Sequence, residues 1–268
     1  MPFLITLIVL VVLCGAYLFL IKPRKEPKTS VQPLKVDYAH RGLWGDDVVE
    51  NTMPAFYNAF RAGFGIELDV RLSSDEQVVV FHDDTLERLC GREDRVDSLT
   101  ASELSWVNIN GCYERIPLFS EVLDRIDHKT PLCIELKGSD TRLCEKVAEL
   151  LDHYDGYFSV ESFNPFLLNW FRVNRPRYVR GQLVTNMWKI KKSSIASKLF
   201  ATPMLLNCLS RPDYISYDIR SKNLSVWLCD KLFHSLMFAW TVKTPAEYSE
   251  LKAQGRIVIF QDFRPDKR

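Results

Sequence analysis

Hydrophobic and polar positions divide the 268-residue chain into three regimes. Residues Pro2–Ile21, PFLITLIVLVVLCGAYLFLI, form one uncharged apolar run. About 20 such residues, at 1.5 Å each in a helix, cross the roughly 30 Å hydrocarbon core of a bilayer. Residues 22–36 follow as a basic stretch with Pro23, Pro27 and Pro33, which reads as a short stiff linker whose charges also suit anionic headgroups. From Asp37 onward, short β-rich runs alternate with amphipathic stretches of helical spacing.

The strand candidates are 37–40, 65–71, 78–82, 131–136, 157–163, 179–184, 214–218, 237–242 and 257–261. Helices are expected after Thr52, from Ser120, and over TRLCEKVAELLDHY, NPFLLNWFRVN, LSVWLCDKLFHSL and TPAEYSELKAQ, several introduced by Ser, Thr or Asn. The runs 65–71 and 78–82 are too close for a parallel crossover, which takes a dozen or more residues. The second is therefore a hairpin return or an extended loop. Eight strands remain, and the first seven precede helix-length connections. That is the count and size of an α/β fold of the (β/α)8 TIM-barrel kind, here preceded by a single N-terminal transmembrane helix. An open doubly wound sheet is the alternative. The expected parts are 1–21 as the span, 22–36 as the juxtamembrane linker and 37–268 as the barrel, with an insertion at about 83–116.

A cleaved signal peptide is the rival reading of the first segment. No basic residue precedes the apolar run, no small-x-small site follows it, and it exceeds the usual 7–15-residue signal core. Cys14 has Leu13 before it where a lipoprotein site would need a small residue. Lys22, Arg24, Lys25 and Lys28 flank the run on its C-terminal side, which places the body in the cytoplasm by the positive-inside rule. Seven cysteines without a CxxC pair agree with a reducing compartment. Once residues 1–36 are set aside, the formal charge of +1 becomes −3 for the body. Such a body has no electrostatic reason to hold nucleic acid.

Residues two apart on a strand face one way. Glu67 and Asp69 therefore share a face, followed by Arg71, and Glu135 and Lys137 share one on the next parallel strand. In a barrel these C-terminal strand ends carry the active site. Three carboxylates meeting there need a cation, and an all-oxygen set selects Mg²⁺ or Ca²⁺, with Mn²⁺ also possible, over Zn²⁺. Salt bridges to Arg41, Arg71 and Lys137 are the competing explanation. His40 closes the first strand and His82 closes VVVFHDD. Two imidazoles beside a metal suit acid–base work, one taking a proton and the other giving one. His128, His153 and His234 read as surface or capping residues. No GxSxG, Walker or GxGxxG pattern is present.

In order along the chain stand AHRG at 39–42, ENTMPAF at 50–56, GIELDV at 65–70, VVVFHDDTLER at 78–88, IPLFSEVL at 116–123, IELKG at 134–138, ESFNP at 161–165 and WTV at 240–242. This series resembles the glycerophosphodiester phosphodiesterase family, in particular its bacterial members with an N-terminal membrane span. The resemblance covers roughly 37–265. It implies a (β/α)8 barrel that hydrolyses glycerophosphodiesters to glycerol 3-phosphate and an alcohol with one divalent cation. By position, Glu67, Asp69 and Glu135 match the family's metal ligands, and His40 and His82 its acid–base pair. Arg41 and Lys137 match residues that hold phosphate oxygens, although Lys137 equally suits neutralising Glu135. Trp240 matches an aromatic lining the alcohol or glycerol pocket.

The chain departs from the family pattern in three places. Lys243 replaces an Asn common after WTV, the last strand reads RIVIFQDFRP and keeps only Asp262, and Asp75-Glu76-Gln77 replaces a glycine turn. These bear on substrate preference. Two other readings stand beside the hydrolase. One is a lysophospholipase D-like activity on membrane lysophospholipids, suggested by the tether and by the basic run at Trp188, Lys189, Lys191 and Lys192. The other is a non-catalytic anchored barrel serving as a binding or scaffold protein.

Overall fold

A computed structural model describes the chain except residues 26, 46, 111–112, 127, 191–192, 222 and 267–268. Eight parallel strands close on themselves: β1 (Tyr38–Ala39), β2 (Gly65–Leu72), β4 (Leu132–Leu136), β5 (Phe158–Ser162), β6 (Arg180–Val184), β7 (Tyr214–Asp218), β8 (Leu236–Val242) and β9 (Ile257–Phe260). Pairing of β1 with both β9 and β2 completes the circle, so the fold is a TIM-like barrel and not an open sheet. The ninth strand, β3 (Val78–Val80), pairs antiparallel with the far end of β2 as a hairpin return.

The helices are α1 (Pro2–Ile21), α2 (Met53–Arg61), α3 (Glu87–Cys90), α4 (Ala101–Ser105), α5 (Phe119–Arg125), α6 (Thr141–Leu151), α7 (Pro165–Asn174), α8 (Asn207–Ser210), α9 (Leu224–Lys231) and α10 (Pro245–Ala253). Short polar side chains start them where the chain leaves a strand. Asp140, Asn164, Asn223 and Thr244 each accept a hydrogen bond from a backbone N–H of the first turn of α6, α7, α9 and α10, satisfying donors a helix cannot satisfy itself. In α6 the buried positions Leu143, Cys144, Val147, Ala148 and Leu151 make one helical stripe. It packs in the main apolar shell with the outward strand residues Ile134 and Val160.

Inward residues fill the barrel. At its N-terminal end Tyr38, Tyr214 and Phe238 pack together, and Leu34 joins this cluster. Gly181 makes room there: a Cβ on it would meet the Tyr214 ring at 2.2 Å. The inward positions toward the other end are polar, and the site lies among them.

Two regions depart from the simple alternation. Residues 83–116 hold α3 and α4 around a small apolar cluster that includes Leu86, Leu89, Val96 and Leu104 and continues onto Val79 and Phe81. The connection after β6 lacks the amphipathic helix its length suggests. Its described residues form only short helical turns at Met187–Lys189 and Ser197–Ala201, then α8. Its apolar residues have no single helical stripe, and Pro203 removes a backbone donor within it.

Helix α1 stands mostly clear of the barrel. Residues 1–16 are exposed, and Ile21 is its one buried position. The segment after it lies on the barrel wall instead of standing off it. Arg24 pairs with Asp213 at 3.1 Å, and Thr29 Oγ1 donates to the Arg177 carbonyl at 2.7 Å.

Candidate active site

The β2–β4–β5 register puts Asp69, Glu135 and Glu161 side by side in one inward layer, with Glu67 one step below. All four are buried. Oxygens of Glu67, Asp69 and Glu135 lie within 4.8 Å of one another. The sequence expectation for these three therefore meets in one cluster.

The two cations of the cluster are Arg41 and Lys137. Lys137 Nζ lies 2.6 Å from Glu135 Oε1 and 3.0 Å from Asp69 Oδ1. Arg41 approaches Asp69 Oδ2 at 3.4 Å through Nε, and its backbone N–H donates to Glu67 Oε2 at 2.8 Å. That last bond needs the left-handed backbone of Arg41, φ 60°. The turn is completed by Gly42, φ 82°, where a Cβ would sit 2.8 Å from the Ala55 backbone. Arg71, the third cation in the salt-bridge alternative, points elsewhere, to Asp84 at 2.7 Å and the His82 carbonyl.

Two partly buried cations against four buried carboxylates leave unmet negative charge. Glu67 carries the consequence, pushed well above the usual carboxylate range by burial and by Asp69 and Glu135. Glu135 is raised too, chiefly by burial, and burial plus the charge of Glu135 lift Glu161 to about 7. Burial also works against the Asp69 carboxylate, but Lys137, His82 and Arg41 outweigh it and hold its pKa low. The donor set is all oxygen, buried and electron-rich, and it fits a hard divalent cation.

His40 and His82 flank the cluster. His40 Nε2 is 4.0 Å from Glu67 Oε2, and its Nδ1 is 2.7 Å from Gln261 Oε1. Burial, with the charge of Arg41, lowers its pKa to about 3 and keeps it neutral. His82 Nδ1 sits 2.6 Å from Asp83 Oδ1, and burial lowers its pKa as well. In both rings an oxygen acceptor holds Nδ1, which leaves Nε2 for chemistry. His82 reaches the mouth by a different route from the one its strand-end position suggests. The β2–β3 hairpin folds back, with Phe81 N donating to the Asp69 carbonyl, and carries His82 down to the carboxylates.

Trp240 ends its inward run edge-on to Phe163, ring centroids 5.6 Å apart. Its buried indole N–H has no hydrogen-bond partner among the described residues, so a ligand oxygen there would be well received. His128, His153 and His234 are exposed, away from the cluster. Lys243 and Asp262, two of the departures from the family pattern, meet at 2.8 Å on the rim. Of the basic run after β6, Trp188 and Lys189 are exposed, while Lys191 and Lys192 lie outside the described residues.

Sequence reasoning missed four supporting residues. Asn51 donates to Asp69 Oδ2 at 2.8 Å and fixes that carboxylate. Glu50 and Arg88 join the two halves of the mouth. Arg41 Nη1 pairs with Glu50 at 2.7 Å, Arg88 with the same oxygen at 2.6 Å, and Arg88 Nε with Asp83 at 2.6 Å, next to His82. Glu161 is the fourth. Its position in the strand beside Glu135 was the available signal; nothing in the sequence joins Arg88 to Glu50.

Comparison with known proteins places this geometry. A model of the Glycerophosphoryl diester phosphodiesterase family matches residues 40–199. The YhdW protein of Bacillus subtilis (strain 168) is 31% identical over 249 residues, covering 85% of this chain and 94% of its own. Human Lysophospholipase D GDPD1 is 28% identical over 265 residues, covering 84% of this chain and 82% of its own. A crystal structure of the glycerophosphodiester phosphodiesterase of Thermotoga maritima superposes with a TM-score of 0.66 at 26% identity, over 84% of this chain and 93% of that one. The family match begins at His40 and takes in every residue of the carboxylate cluster, so this chain belongs to the glycerophosphoryl diester phosphodiesterase family and is a phosphoric diester hydrolase.

Proposed function

We propose that the chain hydrolyses glycerophosphodiesters to glycerol 3-phosphate and an alcohol, with one divalent cation, Mg²⁺ or Ca²⁺ (Mn²⁺ being the third choice), held by Glu67, Asp69 and Glu135. The carrying observation is the meeting of these three buried carboxylates within 4.8 Å, with negative charge that Arg41 and Lys137 do not fully neutralise. When bound, the cation supplies Lewis-acid polarisation of a phosphoryl oxygen. Arg41 and Lys137 hold the remaining phosphate oxygens and favour the extra charge of the transition state. One of His40 and His82 accepts a proton at Nε2 from the attacking oxygen, which is water or the neighbouring glycerol hydroxyl; in the second case a cyclic phosphate forms and water then opens it to glycerol 3-phosphate. The other enters the step as the imidazolium and gives its Nε2 proton to the departing alkoxide. Gln261 and Asp83 keep the two rings aligned. The Trp240 indole lines the alcohol or glycerol pocket, a role its unpartnered N–H supports.

In the same reading, Pro2–Ile21 anchors the chain in a membrane as a single pass, residues 22–36 lead into the barrel at 37–268, and the catalytic body is cytoplasmic. The length and apolar character of α1 support the anchor, and the four flanking basic residues support the orientation.

A second substrate class, lysophospholipids in the membrane, draws support from the likeness to a protein named Lysophospholipase D and from the apolar residues exposed around the barrel mouth. Full-length protein tested with glycerophosphocholine, glycerophosphoethanolamine and lysophosphatidylcholine separates the two. Release of glycerol 3-phosphate marks the first class and lysophosphatidic acid the second. A folded, metal-supplied chain inactive on all three refutes both.

A further inference from the structure

The last turn of α1 runs parallel to the first turns of α9. Tyr17 OH meets Ser225 Oγ at 2.7 Å, and one turn further on the Ile21 carbonyl accepts from Cys229 Sγ at 3.7 Å. Asn207 Nδ2 donates to the same carbonyl, and Arg211 Nη1 donates to those of Phe19 and Lys22, so the helix end is firmly capped. Ser225 lies just past the C-terminal end of β7, whereas Asp213, paired with Arg24, lies just before its start. Helix α1 therefore descends the barrel wall from the catalytic end. Followed back from Tyr17, it leaves the barrel on the side where the active site opens.

Residues 2–16 are the part that stands clear, about 22 Å of helix. A hydrocarbon core of about 30 Å is longer by about 8 Å. If α1 spans a bilayer, its final turns and the rim beside them must sit at the membrane surface. That rim is apolar. Trp188, Ile195, Leu199 and Phe200 after β6, and Leu224 and Trp227 at the start of α9, are exposed. They belong to consecutive strand–helix connections that meet α1 at Ser225, whose Oγ donates to the Pro203 carbonyl at 2.9 Å and faces Tyr17 OH. Among the described residues of 185–206 the charged side chains are Lys189 and Lys198, both basic. Lys198 Nζ stands 5.7 Å from the Trp188 ring centroid, an aromatic and a cation paired as at a headgroup boundary.

We propose that the catalytic-face sector formed by Trp188, Ile195, Leu199 and Phe200 and the first turn of α9 docks on the same bilayer that holds α1, so that the active site takes its phosphodiester at the lipid–water interface. This rests on the anchored-hydrolase reading and names where its substrate is met. Scattered exposed apolar residues are ordinary on a soluble surface. Here they adjoin an apolar helix and carry Lys189 and Lys198 among them, which fits an anionic membrane and not a second copy of this near-neutral chain.

The test uses the full chain reconstituted in phosphatidylcholine–phosphatidylglycerol vesicles containing brominated acyl chains, which quench nearby tryptophans. Helix α1 has no tryptophan, so quenching reports on the barrel. The Trp188→Phe/Trp227→Phe variant is expected to lose more than half of the quenchable fluorescence, and Trp106→Phe, in the 83–116 insertion, to lose none. Quenching that survives the double replacement overturns the proposal. So does an unquenched wild type that runs as a two-chain species in detergent. A second arm uses Ile195→Ser/Leu199→Ser/Phe200→Ser. Turnover of water-soluble glycerophosphocholine is expected to stay within twofold, while vesicle-borne lysophosphatidylcholine turnover falls more than fivefold; equal effects on both count against docking. An inactive chain still quenched through Trp188 and Trp227 supports the docking and refutes the hydrolase reading.

Discussion

Lys137 places its ammonium 3.0 Å from Asp69 and within reach of Glu135 as well, so one side-chain cation already bridges two of the three clustered carboxylates. Removing it by Lys137→Met takes the ion-pair partner from buried Glu135 and leaves Asp69 with Arg41 and Asn51, a loss of about 3 kcal/mol in comparable buried pairs. The metal-free variant is expected to melt well below metal-free wild type, and added Mg²⁺ to raise its melting temperature by more than it raises that of wild type. Differential scanning fluorimetry with EDTA or Mg²⁺ checks both. An equal response to Mg²⁺ in the two proteins would show that Lys137 does not balance the cluster.

His40→Ala and His82→Ala should each lower kcat by at least about 10²-fold while the fold stays intact, because under the proposed mechanism each removes a proton-transfer group. Steady-state rates on the preferred substrate, with circular dichroism as the folding control, decide the assignment. Near-wild-type turnover in either variant removes that histidine from the chemistry.

Arg88 touches Glu50 and Asp83, and these touch Arg41 and His82. Its effect on the reaction is therefore one of positioning. Arg88→Met is expected to cost roughly 10-fold in kcat with KM nearly unchanged, since misplacing an acid–base group costs less than removing it. Arg88→Lys should restore part of the loss. A KM effect alone would mean the residue serves binding instead.

Glu161 makes the metal-free protein pH-sensitive. Burial and the neighbouring Glu135 raise its pKa to about 7, against about 4.3 for an unfolded glutamate. Between these values the folded state binds the extra proton, so stability falls as pH rises from about 4 toward 7, by on the order of 3 kcal/mol. Glu161→Gln keeps an acceptor for Tyr214 OH, which now donates to the carboxylate at 3.1 Å, and should flatten that slope. Thermal unfolding in EDTA at pH 5, 6 and 7 measures it; parallel slopes would place the titration elsewhere.

Gly42→Ala is expected to destabilise the chain by about 2 kcal/mol, because a left-handed backbone and a contact at 2.8 Å with Ala55 coincide there. Chemical denaturation reads the loss.

The strand pattern made Glu67, Asp69 and Glu135 legible, since period-two alternation fixes which side chains share a face and chain order fixes which strands are neighbours. The hairpin nature of 78–82 followed from the short link to β2. What stayed hidden depends on contacts between distant segments. Arg88 reaches Glu50 across 38 positions, and Tyr17 reaches Ser225 across 208. No local pattern encodes either. The connection after β6 carries no period in its apolar residues, and only the fold brings its Pro203 and the Tyr17 of α1 together at Ser225.

The most direct test titrates Mg²⁺ or Mn²⁺ calorimetrically into EDTA-treated, full-length protein while glycerol 3-phosphate release from glycerophosphocholine is followed in parallel. The account predicts one cation per chain and turnover that rises with occupancy, both lost in Glu67→Gln. Turnover that persists in EDTA, or that Glu67→Gln leaves intact, would contradict it.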